Sequence, residues 1–277
     1  MDLILKLPSG AYSVHPDDFI DISIPLFFNG PQPNFYNAPP ASSKTFTSGN
    51  FTGSKKAGGS CNVSQISLIP HCNGTHTECA GHITGREITL NQCLTETLIP
   101  ATLITITPGD AMKAEDTCFP VKQKGDKIIT RAALNRALRG SSPDFHGALI
   151  IRTLPNNRFK LTRIWSGTPP YFSLDAIHFV NRLSFRHLLV DLPSVDRSSD
   201  GGNLTAHRIF WDLPRNNESG KIENIPKKTI TEMIYIPVRV PDGCYLLNLQ
   251  VPHFATESAP SRPVLYKIKT GLTGKNV

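Results

Sequence analysis

The sequence predicts an α/β fold, and three observations lead to it. Strand-like and helix-like segments alternate through residues 147 to 192, as they do where helices cross over a parallel sheet. The end of the chain reads instead as consecutive strands joined by hairpins. Apolar residues make up 39% of the 277 and charged residues 18%, which is ample for a packed core.

The first strand is expected at Phe19–Leu26, where apolar residues alternate around Asp21 and Ser23. Residues 29 to 60 are rich in Pro, Gly, Ser and Asn and include Phe35 and Tyr36. They predict a long loop, either a substrate cover built on its aromatics or a loose surface excursion. Further strands are expected at Val63–Ile69, Ala101–Thr107, Ala148–Thr153, His187–Leu192, Met233–Val240, Tyr245–Val251 and Val264–Lys269. Thr130 is placed to cap a helix over Arg131–Arg139 that Gly140 ends. Ser173 is placed to cap a second through Leu183, with Leu174, Ile177 and Val180 facing inward. Leu204–Leu213, stopped by Pro214, is the third. No repeat or boundary divides the chain, so one domain over residues 1–277 is expected.

The net charge of +7 is spread over short groups such as Lys55-Lys56 and Arg131-Arg136-Arg139. A nucleic-acid binder would carry a denser basic stripe with interleaved aromatics, so that class is set aside. No stretch approaches the roughly 20 apolar residues of a membrane span. Met1–Pro8 is too short an apolar segment for a signal peptide, so a cytoplasmic protein is expected. The six cysteines form no CxxC pair and are expected as thiols. Five Asn-x-Ser/Thr sequons, Asn73 among them, carry no meaning without secretion.

Chemistry concentrates in "HCNGTHTECAGH", residues 71 to 82, which holds three of the nine histidines. Pro70 helps end the strand before it, and Gly74 lets the loop fold so that His71, His76, Glu78 and His82 converge. Imidazole and carboxylate are the usual ligands of Zn²⁺ and Mn²⁺, so a metal site is expected. Cys79 among three histidines is the rival, a cysteine nucleophile with a histidine base.

The stretch from Gly74-Thr75-His76 through Glu78 to His82 resembles the H-x-G-T-H-x-D-x-P-x-H signature of the metal-dependent cyclase family, which includes bacterial kynurenine formamidase and isatin hydrolase. "DISIPL" (Asp21–Leu26), "GALIIRT" (Gly147–Thr153) and "VDLPSVDR" (Val190–Arg197) look like further family segments, in family order. His207 and the later "IEN" (Ile222–Asn224) look like the family's distal His and Glu. There are three departures. The family's Asp is Glu78, its Pro is Ala80, and its first histidine stands four residues before the second, which in strict register is Cys72 rather than His71.

The resemblance implies a swivelling β/β/α domain with a mixed, partly barrel-like sheet and surrounding helices. It implies that His71, His76 and Glu78 hold one ion, Zn²⁺ or alternatively Mn²⁺. Glu78 would bridge to a second ion completed by His207 and Glu223, and His82 would be the general acid/base. Cys72 competes with His71 as a ligand, since a thiolate also binds zinc. The implied activity is hydrolysis of a formamide or cyclic amide C–N bond in a small-molecule substrate, by a homo-oligomer with no nucleic-acid or membrane partner. The alternative is a member that binds metal or ligand without turnover.

Overall fold

A parallel strand buried on both faces needs an unbroken apolar run, and Ala148–Ile151 supplies one. In the computed structural model, which describes residues 2–214 and 224–270, Ala148–Thr153 lies inside a ten-stranded sheet with all its residues buried. Leu98–Ile106 and His187–Val190 flank it in parallel, and Thr229–Glu232 extends the parallel set. Beyond Thr229–Glu232 the sheet turns antiparallel through His76–Glu78 and ends on Ser258–Pro260. On the other side Gly243–Asn248, Val264–Thr270, Gly10–Asp21 and Leu3–Leu7 follow, all antiparallel. The expected mixed α/β sheet is therefore present. Its two edge strands do not pair with each other, so it remains open and forms no closed barrel.

Strand alternation divides the core in two. Leu149, Ile151, Leu188 and Val190 pack with Leu134, Ile177, Val180 and Phe210 of the helices. Ala148, Ile150, Leu103 and Leu189 face the other way, against Ile234, Ile236, Leu247 and Leu265. The expected caps form: the Thr130 hydroxyl accepts from the Ala133 N–H ahead of Arg131–Ala137, and Ser173 accepts from Ala176 ahead of Leu174–Arg182. The third helix is shortened to Thr205–Phe210 because Leu204 adopts a left-handed φ of 44°.

Other expectations shift. Met233–Val240 is not a strand. The pairing segment is Thr229–Glu232, and Met233, at φ 53°, turns the chain off the ladder. Of Val63–Ile69 only Ser64–Ser67 is a strand, exposed and paired with Ser42–Thr45 outside the main sheet. The 29–60 segment is thus partly built into this arm, and Thr47–Ser48 with Phe51–Thr52 makes a second small ladder there. Among the described residues no helix is long and apolar enough to cross a membrane.

Candidate metal centre

Strand geometry begins the assembly. Alternation along His76–Glu78 sends His76 and Glu78 to one face, and Thr77 to the other, where its hydroxyl meets that of Thr231 at 2.8 Å. Pairing with Thr229–Glu232 sets Glu232 opposite His76, so this third side chain shares the face. Gly74, at φ 145°, takes a backbone conformation closed to side chains and folds the preceding loop back towards the strand. Thr75 fastens that loop: its hydroxyl accepts from the Ile24 N–H at 2.8 Å and donates to the Met233 carbonyl at 2.5 Å. His207 arrives from its helix, whose Ala206 and His207 N–H groups donate to Asp196 at 2.8 and 3.1 Å.

Glu78 is the hub. Its Oε2 lies 3.0 Å from His71 Nδ1 and 3.8 Å from His82 Nε2, and its Oε1 lies 2.8 Å from His207 Nε2. Glu232 reaches the remaining imidazole, at 3.7 Å from His76 Nε2, and shares His207, at 3.7 Å from its Nε2. Two sets of donor atoms are close enough to surround an ion: His71, Glu78 and His82, and Glu78, His207 and Glu232.

The electrostatics follow from burial among unlike and like charges. Burial alone would raise Glu78, but the charge and hydrogen bond of His207, with His71 and His82, hold it well below the carboxylate range. Burial opposes protonation of His207, and Glu78 and Asp196 overcome it, so the ring is held well above its ordinary value. Burial, reinforced by the charge of Glu78, pushes Glu232 well up. His76 is lowered to about 4 by burial and then by the charge of His71. His82 is also lowered to about 4, by burial with the charges of His71 and His207. Burial and charge thus drive the two carboxylates apart, Glu78 downward and Glu232 upward, while both His76 and His82 are held at about 4.

The donors fit a divalent cation on an observation independent of the sequence. His76 is fully buried, its Nδ1 donates to the Gly74 carbonyl at 2.9 Å, and its Nε2 has no hydrogen-bond partner. A buried nitrogen with a free lone pair, aimed among carboxylates, is a ligand in waiting, because leaving such a group unmatched is costly. The same orientation recurs at His207, whose Nδ1 lies 2.6 Å from Asp196 Oδ2 while Nε2 faces Glu78.

The structure gathers His71, His76, Glu78, His82 and His207 in one cluster, although His76 contacts Glu232 rather than Glu78. Glu223 lies outside the described residues, and the carboxylate found beside His207 is Glu232. Its one readable signal is an acid at the carboxyl end of a parallel strand, where open α/β sheets place ligands. Asp196 was likewise missed.

Several neighbours are occupied elsewhere. Asp191 takes Lys160 at 2.7 Å and Thr153 at 2.8 Å. Cys72 is buried and belongs to neither set of donors, its carbonyl accepting from Phe35. The Cys79 thiol is fully buried, donates to the Ile88 carbonyl and is pushed above the ordinary thiol range by its contact with Cys93 and by burial, which removes it as a nucleophile. Asn73 is also spent, its side chain bonding Ile69 and Pro39.

Residues 20–197 match the family model described as "Putative cyclase". Among solved structures, a potential metal-dependent hydrolase with cyclase activity shares 18% identity at a TM-score of 0.58, covering 90% of this chain and 98% of its own. An isatin hydrolase bound to the product analogue thioisatinate shares 13% at 0.56, covering 91% and 93%. Isatin hydrolase A from Ralstonia solanacearum shares 14% at 0.56, covering 90% and 91%. At these identities the likeness establishes the fold. No curated relative matches the chain by sequence.

Proposed function

This chain belongs to the cyclase family, and from that premise we propose that it is a metal-dependent hydrolase cleaving the C–N bond of a formamide or cyclic amide. The observation that carries the reading is the buried, unpartnered Nε2 of His76 within the Glu78–Glu232 cluster. His71 and Glu78 would hold one ion with His76, whose unpartnered Nε2 is preferred as the ligand over the His82 of the closer donor set, and Glu78 would be shared with a second held by His207 and Glu232. Nitrogen and oxygen donors of this kind suit Zn²⁺, with Mn²⁺ as the alternative. The chemistry supplied by such an ion is Lewis acidity towards a water molecule and an amide carbonyl.

The chain's own residues supply the rest. The His82 ring, stacked on His71 at 4.1 Å, makes no side-chain hydrogen bond among the described residues, and its nearest acidic atom is Glu78 Oε2 at 3.8 Å. A neutral imidazole whose nitrogens are not tied up takes a proton from the attacking water and returns it to the leaving nitrogen. Tyr36, 59% exposed, donates its hydroxyl to the Ser198 carbonyl at 3.2 Å, and its ring lies against Phe35. Burial and then the charges of Asp200, Glu232 and Asp196 push that hydroxyl up to about 12. An exposed aromatic in the 29–60 segment would suit a flat, aryl-bearing substrate.

The experiment is metal analysis of the purified protein, followed by a panel of N-formyl aryl amides, isatin-like lactams and cyclic imides. Bound metal with turnover of one class, lost on chelation, is expected. Folded protein that takes up no metal overturns the proposal. The longer acid at Glu78 favours a second reading, a family member that binds metal without catalysis. Metal binding with no turnover across the panel would select it.

A further inference from the structure

We infer that Glu257 is the outer carboxylate that fixes His71 as a ligand, a positioning residue beyond the two donor sets. The inference rests on the metal-centre reading above. Its basis is a pattern shared by three rings. His76 is held at Nδ1 by the Gly74 carbonyl and His207 at Nδ1 by Asp196, and each turns its other nitrogen to the cluster. His71 completes the pattern with its nitrogens exchanged: Nδ1 faces Glu78 at 3.0 Å, and Nε2 faces Glu257 Oε1 at 3.4 Å. An acceptor on the far nitrogen fixes tautomer and ring angle and makes the inner nitrogen a better donor.

The need is greatest at His71. Its side chain is 22% exposed, against 0% for His76 and 2% for His207, so packing alone constrains it least. The chain also has an extra residue between His71 and His76 relative to the signature it resembles, so the loop that carries the ring is longer.

Glu257 is itself well seated although its side chain is 43% exposed. Its carbonyl accepts from the Cys79 N–H at 3.0 Å, and the preceding Thr256 carbonyl accepts from Leu90 at 2.9 Å. Ser258, directly opposite Glu78 in the sheet, donates its hydroxyl to Glu257 Oε1 at 3.0 Å. Gly81 lets this segment close in, because a Cβ there would stand 3.0 Å from Glu257 Cβ and 1.9 Å from the Ile88 carbonyl oxygen. The carboxylate is therefore delivered by backbone clamped to the same strand that carries His76 and Glu78.

The test is a Co²⁺ titration of chelated full-length protein, read by the visible absorption of the bound ion, for wild type, Glu257→Ala and Glu257→Gln. Glu257→Ala should weaken one of the binding steps about tenfold, the lower end for an outer-shell partner because the contact is partly solvated. Its absorption spectrum should shift, while the melting temperature of metal-free protein stays as in wild type. Glu257→Gln keeps an oxygen that can accept from Nε2 and should recover most of the affinity. Wild-type affinity and spectrum in Glu257→Ala overturn this inference alone. Equal weakening of both variants together with a lowered metal-free melting temperature also overturns it, since that marks a general structural role. Wild-type protein that takes up no Co²⁺ overturns the metal-centre reading as well.

Discussion

His207 Nδ1 stands 2.6 Å from Asp196 Oδ2, and the same carboxylate accepts the N–H groups of Ala206 and His207. One acid thus seats the start of a helix and turns its histidine so that Nε2 reaches Glu78 at 2.8 Å.

Asp196→Asn should separate these duties poorly, because both depend on the charge. Metal affinity is expected to fall about 10–100-fold, the usual cost of losing an outer partner. Stability should fall by about 1–3 kcal/mol through the weakened buried hydrogen bonds. A Zn²⁺ titration and a urea melt of the chelated protein measure the two effects.

Glu78 and Cys79 are neighbours in sequence with opposite expectations. Glu78→Ala removes the hub shared by His71, His82 and His207, and metal content and the proposed hydrolase activity should both be lost. Cys79→Ala should keep both, at a stability cost of about 1 kcal/mol for a small buried side chain. Activity that survives the first change and disappears in the second would return the chemistry to the cysteine.

Acid should destabilise the metal-free protein through His76. Its folded pKa is about 4, below the 6.5 of an unperturbed histidine, so the folded state refuses a proton that the unfolded chain accepts. Stability therefore falls as pH drops from about 6.5 to about 4, by about 3 kcal/mol over the window. Urea melts of chelated protein across this range should show the slope, and His76→Asn should reduce it, the remainder coming from His82, which is lowered to about 4 as well. Saturating metal should raise stability more at the neutral end than in acid, because fewer ligand protons must be displaced there.

Lys160 and Asp191 form a buried pair at 2.7 Å, apart from the donor sets. Lys160→Ala leaves Asp191 buried without its counter-charge, and about 3 kcal/mol should be lost. Because burial already raises the Asp191 pKa, part of that loss should be relieved by its protonation and shrink at lower pH. Metal stoichiometry should be unchanged. A loss of metal would mean that this pair supports the centre as well.

The features legible from sequence were those whose determinants lie within a few residues of one another. Thr130 and Ser173 cap their helices through N–H groups only three residues ahead, and Ala148–Ile151 is apolar throughout because both its faces are covered. His71, His76, Glu78 and His82 were legible for the same reason, and the metal chemistry is contained in their residue types. Only the tertiary structure could bring in Glu232, Asp196 and Glu257, each an unremarkable acid in its own stretch of chain. Glu232 joins the centre because an antiparallel register sets it opposite His76, and Glu257 because the edge strand places Ser258 opposite Glu78. Such pairings depend on which strands become neighbours. Burial of both sheet faces decides that over the whole chain, and it also left this sheet open.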